Sequence, residues 1–266
     1  MTATPAPLLR STVYGSTEVD LHDPAEDYHE ASKLYPALGE RVSAGIARLA
    51  ASPDLQALCA RPGRPNRQLP AIPLEPLEPP PVSLWSALAA RRSERARAPH
   101  ILNADVLAAL VAAAYGPAAE GRRTVPSGGA LYPLELYVVS RRVRDVPEGV
   151  FHLDPGRPAL ELMDDDDVGP RLADATPLPE LLADAAAVVF LTAVFWRTRF
   201  KYGLRGYRFA LLEAGHAAQN LLLAATALRV PALPLGGFFD ARVERLLGVD
   251  GVDESVLYGI VLGGSA

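Results

Sequence analysis

The stretch Phe195–Leu228, FWRTRFKYGLRGYRFALLEAGHAAQNLLLAATAL, decides how this chain is read. The apolar run Ala185–Trp196 breaks there into a basic and aromatic turn, and a long segment follows. From Phe209 onward its only polar residues are Glu213, His216, Gln219, Asn220 and Thr226. That pattern predicts a helix over about Tyr207–Leu228, apolar on nearly all sides and therefore buried. Glu213, His216, Gln219 and Asn220 follow one another at spacings of three, three and one, which gathers them on one side. Ala214, Gly215, Ala217 and Ala218 are small enough to admit a second helix, from the same chain or from another subunit.

Just before this helix stands Lys201-Tyr202-Gly203, between Arg199 and Arg205. Cations on either side of a partly desolvated lysine disfavour its charged form, and a Lys or Tyr so placed is a usable proton acceptor near neutral pH. The same residues also fit a solvated loop ahead of a helix.

The bulk numbers exclude several classes. The composition is 49% hydrophobic and 21% charged over 266 residues, ordinary for a soluble globular protein of one large or two small domains. A net charge of −5 and a pI near 5.6 argue against nucleic acid or anionic membrane as a partner. Cys59 is the only cysteine, which rules out an intrachain disulfide and a cysteine metal cluster, and the five histidines have no metal-binding spacing. Met1–Arg10 lacks the features of a signal peptide. Ala185–Trp196 is far shorter than the ~20 residues that span a bilayer. A cytoplasmic protein without metal is expected.

Residues 1–61 read as a helical arm, with a polar segment Ala25–Pro36 and helical spacing through Val42, Ile46, Leu49 and Leu58. Residues 62–82 are a proline-rich connector, unfit for a helix or a central strand. The main domain is 83–266. In it, Ser83 caps a helix to about Ala90, and the run Arg91-Arg92-Ser93-Glu94-Arg95 follows. Guanidinium forks and a hydroxyl at a helix end suit a phosphate, although arginine runs are also common on open surface. Asn103 caps a helix with the stripe Val106, Leu107, Leu110 and Val111. The loop Pro126-Ser127-Gly128-Gly129 lets backbone approach a flat ligand, or is simply the turn before the strand Leu134–Val143. It is neither a Walker loop nor a dinucleotide fingerprint. Gly149–Leu153 and Ala159–Met163 flank Asp154-Pro155-Gly156 as a hairpin. Asp164–Asp167 is a solvated acidic loop before a short helix around Leu178–Ala183, and Ala186–Phe195 is a buried strand. After the long helix come a strand, the glycine pair Gly236-Gly237, a helix Asp240–Leu247 capped by Asp240, and a strand Val256–Leu262. The order describes an α+β domain without a βαβ repeat.

Three separated motifs, Arg91-Arg92-Ser93-x-Arg95, Pro126–Pro133 and Pro234-Leu235-Gly236-Gly237-Phe238, together resemble the nitroreductase-fold flavoproteins. Lys201-Tyr202-Gly203, Gly215–Leu221 and Tyr28–Lys33 resemble one branch more narrowly, the SagB-type azoline dehydrogenases. The resemblance implies a nitroreductase-like α+β fold: a central, mostly antiparallel sheet flanked by helices, a long buried central helix, and a homodimer with FMN at the interface. It implies that Arg91, Arg92, Ser93 and Arg95 hold the phosphate and ribityl chain, that Pro126, Ser127, Gly128 and Gly129 come from the partner subunit, and that Gly236 and Gly237 pass near the isoalloxazine. Relatives often have a Lys or Arg after the last strand; here Leu262–Ala266 offers only backbone and a hydroxyl. The implied reaction is FMN-dependent oxidation of thiazolines or oxazolines in a ribosomally made precursor peptide, beside a YcaO-type cyclodehydratase, with Lys201 as base and Tyr202 as its partner or alternate. A general NAD(P)H-dependent nitroreductase and a flavin-bound scaffold subunit are the rival readings.

Overall fold

The computed structural model describes residues 23–35, 39–55, 69–96, 98–154 and 158–263. They fall into two compact units, 1–39 and 40–266. In the first, helix α1 (Pro24–Ala31) is capped by Asp23, whose carboxylate accepts from the Ala25 amide at 2.9 Å, and Lys33 pairs with Glu30 at 2.5 Å. Helix α2 (Gly39–Ala51) leads into the second unit; Leu58 of the expected stripe and residues 62–68 of the connector lie outside the described residues.

Among its described residues the second unit has seven strands: β1 (Ala71–Pro73), β2 (Leu134–Ser140), β3 (Gly149–Asp154), β4 (Ala159–Asp164), β5 (Ala187–Val194), β6 (Ala232–Leu235) and β7 (Glu254–Leu262). Their spatial order is β1-β4-β3-β2-β5-β7-β6, and every pairing is antiparallel. The proline-rich segment thus contributes a strand at an edge, where a missing N–H is tolerated.

Side chains alternate along each strand, so the sheet has two apolar faces. Leu134, Leu136 and Val138 of β2 join Val189 and Leu191 of β5 on one face, in one core with helix α4 (Ala104–Tyr115) and a long helix described below, on which helix α3 (Leu84–Ala90) packs. Tyr137, Val139, Val188 and Phe190 point the other way, against α5 (Val168–Asp174) and a helix near the C-terminus. The short helix expected at Leu178–Ala183 forms earlier, as α5. Pro177 and Pro179 leave only a single 3-10 turn at Pro179–Leu181, because proline cannot donate to a preceding turn.

After β5 the chain does not turn loosely. It forms helix α6 (Trp196–Tyr202), stops at Gly203 with φ of 57°, and restarts as α7 (Arg205–Ala227). Helix α7 packs along α4 and over the sheet, and its Ala210, Ala214, Ala217, Ala218, Leu221 and Ala225 are all buried. It is not covered on every side: Leu211 and Leu212 are 44% and 61% exposed. Helix α8 (Asp240–Leu247) follows β6. Phe239, not Asp240, occupies its cap position, and Asn103 caps α4 by position without a side-chain hydrogen bond. Ser83 does cap α3, its hydroxyl accepting from the Ser86 amide at 3.1 Å.

Candidate active site

Lys201 and Tyr202 lie on the last turn of α6. Three glycines fix that helix. Gly206, at the start of α7, backs onto it so closely that a β-carbon would stand 2.8 Å from the Thr198 carbonyl carbon, and the Thr198 hydroxyl donates to the Gly206 carbonyl at 3.0 Å. Gly45 of α2 meets the carbonyls of Phe200 and Lys201, where a β-carbon would be 2.5 Å from the Lys201 oxygen. Gly129, with φ of 67°, lies against the side-chain ends of both Lys201 and Tyr202. The Tyr202 ring stands edge-on to Phe209 at 5.0 Å, and the Lys201 ammonium is 5.1 Å from the Tyr202 ring centre, within cation–π range.

The loop that delivers Gly129 is held by α7 and α4. The Ser127 hydroxyl accepts from the Tyr132 amide at 2.9 Å, and Gly128 packs on Phe209. Ala130 and Tyr132 both have positive φ, 54° and 44°, a conformation costly for residues with a side chain. Outside support is therefore needed. Asn220 donates to the Thr124 carbonyl at 3.0 Å. Arg123, buried, places its guanidinium 4.4 Å from the Tyr115 ring centre and 5.3 Å from that of Tyr132. The Tyr115 hydroxyl donates to Glu213 at 2.5 Å. Burial pushes the Glu213 carboxyl up to about 7, against the opposing pull of the Ser127 and Tyr115 hydroxyls and the Arg123 charge. Burial beside that carboxylate raises the Tyr115 phenol well above its ordinary range. Of the four polar residues grouped on the helix in the sequence, Glu213 and Asn220 face this loop, whereas His216 and Gln219 are exposed.

The arginine motif stands elsewhere. Glu94 donates its amide to the Ala232 carbonyl at 2.9 Å, so Arg91–Arg95 runs beside the start of β6. Arg92 pairs loosely with Glu94 at 3.4 Å; Arg91 and Arg95 have no carboxylate partner among the described residues, and Ser93 is exposed. Gly236 and Gly237 follow the end of β6, exposed, with open space where a β-carbon would stand. The residues after Gly263 lie outside the described part.

Strand register measures the separation of the arginines from Lys201. Ala232 pairs with Leu262, which pairs with Ala187 at the start of β5, whereas Lys201 follows Val194 at its end. Seven steps of a strand make roughly 20 Å. Within one chain, Gly128-Gly129 meets Lys201-Tyr202, and the arginines sit at the other end of the sheet. Arg199, two residues from Lys201 on α6, lines a different groove with Trp196, Phe200 and Val252.

Residues 88–264 match the nitroreductase family. The chain belongs to the nitroreductase family. Its members are flavin-dependent oxidoreductases, and FMN is their common cofactor. A protein of Methanocaldococcus jannaschii assigned as a nitroreductase is 38% identical over 169 residues, 63% of this chain and 85% of its own length. The microcin B17-processing protein McbC of Escherichia coli is 31% identical over 136 residues, 48% of this chain; the match spans 49% of McbC. A chain of the E. coli microcin synthetase McbBCD complex, solved with truncated pro-MccB17 bound, has the same fold with a TM-score of 0.57 at 24% identity, covering 88% of this chain and 98% of that one. Among the described residues no helix is long and apolar enough to cross a membrane.

Two buried groups of this nitroreductase-family chain escaped the sequence reading. One is Tyr115–Glu213–Arg123. The other joins Arg197 of α6 to Glu135, His152 and Glu161 of the sheet. A lone charged residue inside an otherwise apolar strand or helix was the available signal for Glu135 and Glu213, since such groups are buried only when paired.

Proposed function

We propose that the chain is an FMN-dependent azoline dehydrogenase that converts thiazolines or oxazolines of a ribosomally made peptide to azoles. The observation that carries this reading is the contact of Gly129 with both Lys201 and Tyr202, which brings the amine and the phenol together against one stretch of bare backbone. The α-proton of an azoline is acidified by the adjacent carbonyl and imine. Lys201 takes that proton, with Tyr202 as its partner or alternate. Bound FMN would supply the acceptor for the hydride leaving the neighbouring ring carbon, and dioxygen would take up the two electrons without nicotinamide.

The residues present fit that cofactor. Arg91 and Arg95, which have no carboxylate partner among the described residues, are cations suited to a phosphate, with Arg92 and Ser93 between them, and Gly236-Gly237 offers a surface free of side chains. The distance along β5 between the arginines and Lys201 favours a site shared by two copies. A copy that lends the Pro126–Gly129 loop lends Lys201 and Tyr202 with it. Helices α3 and α7, packed on one another, leave Leu84, Trp85, Leu88, Leu211 and Leu212 exposed, which supports pairing through that face. Similarity to McbC supports a precursor peptide and a YcaO-type cyclodehydratase as partners.

The Lys201→Ala/Tyr202→Phe variant should retain FMN and lose azole formation; undiminished turnover would overturn the assignment. A second reading, a general NAD(P)H-dependent nitroreductase, is favoured by the higher identity to the M. jannaschii protein. Rapid bleaching of the flavin by NAD(P)H, with azoline peptides untouched, would select it.

A further inference from the structure

A row of buried charges stands behind α6 and takes no part in the chemistry above. Glu135, His152 and Glu161 come from adjacent strands β2, β3 and β4, and each is at most 2% exposed. The His152 Nε2 lies 2.9 Å from a Glu135 oxygen and its Nδ1 3.2 Å from a Glu161 oxygen; ionised carboxylates only accept, so between two of them the ring donates from both nitrogens as an imidazolium. Burial opposes that state, but the Glu135 and Glu161 carboxylates raise the imidazole above its ordinary value. The other Glu135 oxygen faces Arg197 Nη1 at 2.6 Å. Two carboxylates are thus matched by two cations, closed off by the Tyr137 ring 5.2 Å from His152.

Such a network is a poor stabiliser, because desolvating four charges offsets most of their attraction. What it does is hold Arg197. That guanidinium also reaches the Tyr132 carbonyl at 3.5 Å, at the end of the strained Gly128-Gly129 loop. On α6, Arg197 stands one helical turn before Lys201. One side chain therefore touches the loop while anchoring the helix, the two segments whose meeting brings Gly129 onto Lys201 and Tyr202.

We infer that Arg197, oriented by Glu135 and His152, is a positioning residue that sets the register between the Ser127–Tyr132 loop and the Lys201–Tyr202 turn. For its effect on turnover, the inference rests on the proposed role of that pair.

Hydrogen exchange read by mass spectrometry on the full FMN-loaded protein tests it. In Glu135→Gln and Arg197→Met, amides of residues 127–133 and 196–203 should exchange about tenfold faster or more, with β5 and β7 unchanged. Azoline turnover should show kcat about tenfold lower at unchanged KM and unchanged FMN content, and Glu135→Asp should recover part of it. If Arg197→Met does not fold, Glu135→Gln decides. Unaltered exchange in both segments overturns the inference, as does an equal rise across β2, β5 and β7, which would make the network a support of the whole sheet. If both segments loosen as expected but Lys201→Ala/Tyr202→Phe still oxidises azolines, the positioning stands and the proposed catalytic pair falls. A dead double variant with unaltered exchange in Glu135→Gln gives the reverse.

Discussion

Gly129 is in contact with the polar ends of both Lys201 and Tyr202: a β-carbon on it would lie 2.6 Å from Lys201 Nζ and 2.6 Å from the Tyr202 hydroxyl oxygen. Both are tips of flexible side chains, so Gly129→Ala should displace them and leave the fold intact. Gly121 has a similar φ of 71° and nothing within 4 Å of such a carbon, and so separates backbone strain from contact. Both alanine variants should lose about 1–2 kcal/mol of stability. Only Gly129→Ala should lose azole-forming turnover, by about tenfold or more, in a peptide assay with the FMN content held equal. Equal activity of the two variants would remove the contact from the mechanism.

Glu213 makes stability depend on pH. Its carboxyl stands at about 7 in the folded chain against an ordinary 4.5, so the native state holds the proton more tightly than the unfolded one. A raised carboxyl contributes stability below the unfolded value and loses it as pH climbs through the folded one. Between pH 5 and pH 8 the unaltered protein should therefore lose on the order of 3 kcal/mol relative to Glu213→Gln, which retains an acceptor for Tyr115. Urea unfolding at both pH values checks this; parallel losses in the two proteins would show that another group titrates.

A site shared between copies predicts complementation. Arg91→Ala/Arg92→Ala and Lys201→Ala/Tyr202→Phe should each be inactive alone. Unfolded together and refolded, they should regain about a quarter of native activity, since half the dimers are mixed and each has one intact site. No recovery would place all four residues in one chain's site.

The open face of α3 and α7 is the surface on which that pairing should depend. Trp85, 79% exposed, and Leu212, 61% exposed, are the residues to change. Trp85→Glu with Leu212→Glu should halve the mass seen by light scattering and release FMN. An unaltered protein that is already monomeric, or a variant that remains paired, would count against a helix-faced dimer.

The sheet and the long helix were legible in the sequence because burial imposes a period that survives inspection. Ala186–Phe195 reads as a strand from its unbroken apolar run, and β5 occupies Ala187–Val194; the helix read at Tyr207–Leu228 is α7, two residues longer at its start. Helix α6 was not legible. Its residues WRTRFKY have neither a cap nor an amphipathic stripe, and what makes them helical is remote: the Thr198–Gly206 bond, the Arg197–Glu135 pair and the packing of Gly45. The Lys201-Tyr202-Gly203 motif was visible as a motif, but its meeting with Gly129 depends on Glu213, Arg123 and Arg197. Those side chains act across strands and helices, and no local spacing records them.

Prolines guard both margins of the sheet. Pro70 and Pro73 bracket β1, Pro231 and Pro234 fall at β6, and the Arg91–Arg95 segment lies along β6 through the Glu94 amide. A margin poor in free N–H groups is a weak template for adding another strand. At these two edges, among the described residues, the addition of a strand from another chain is disfavoured, so open-ended stacking of sheets has little to start from.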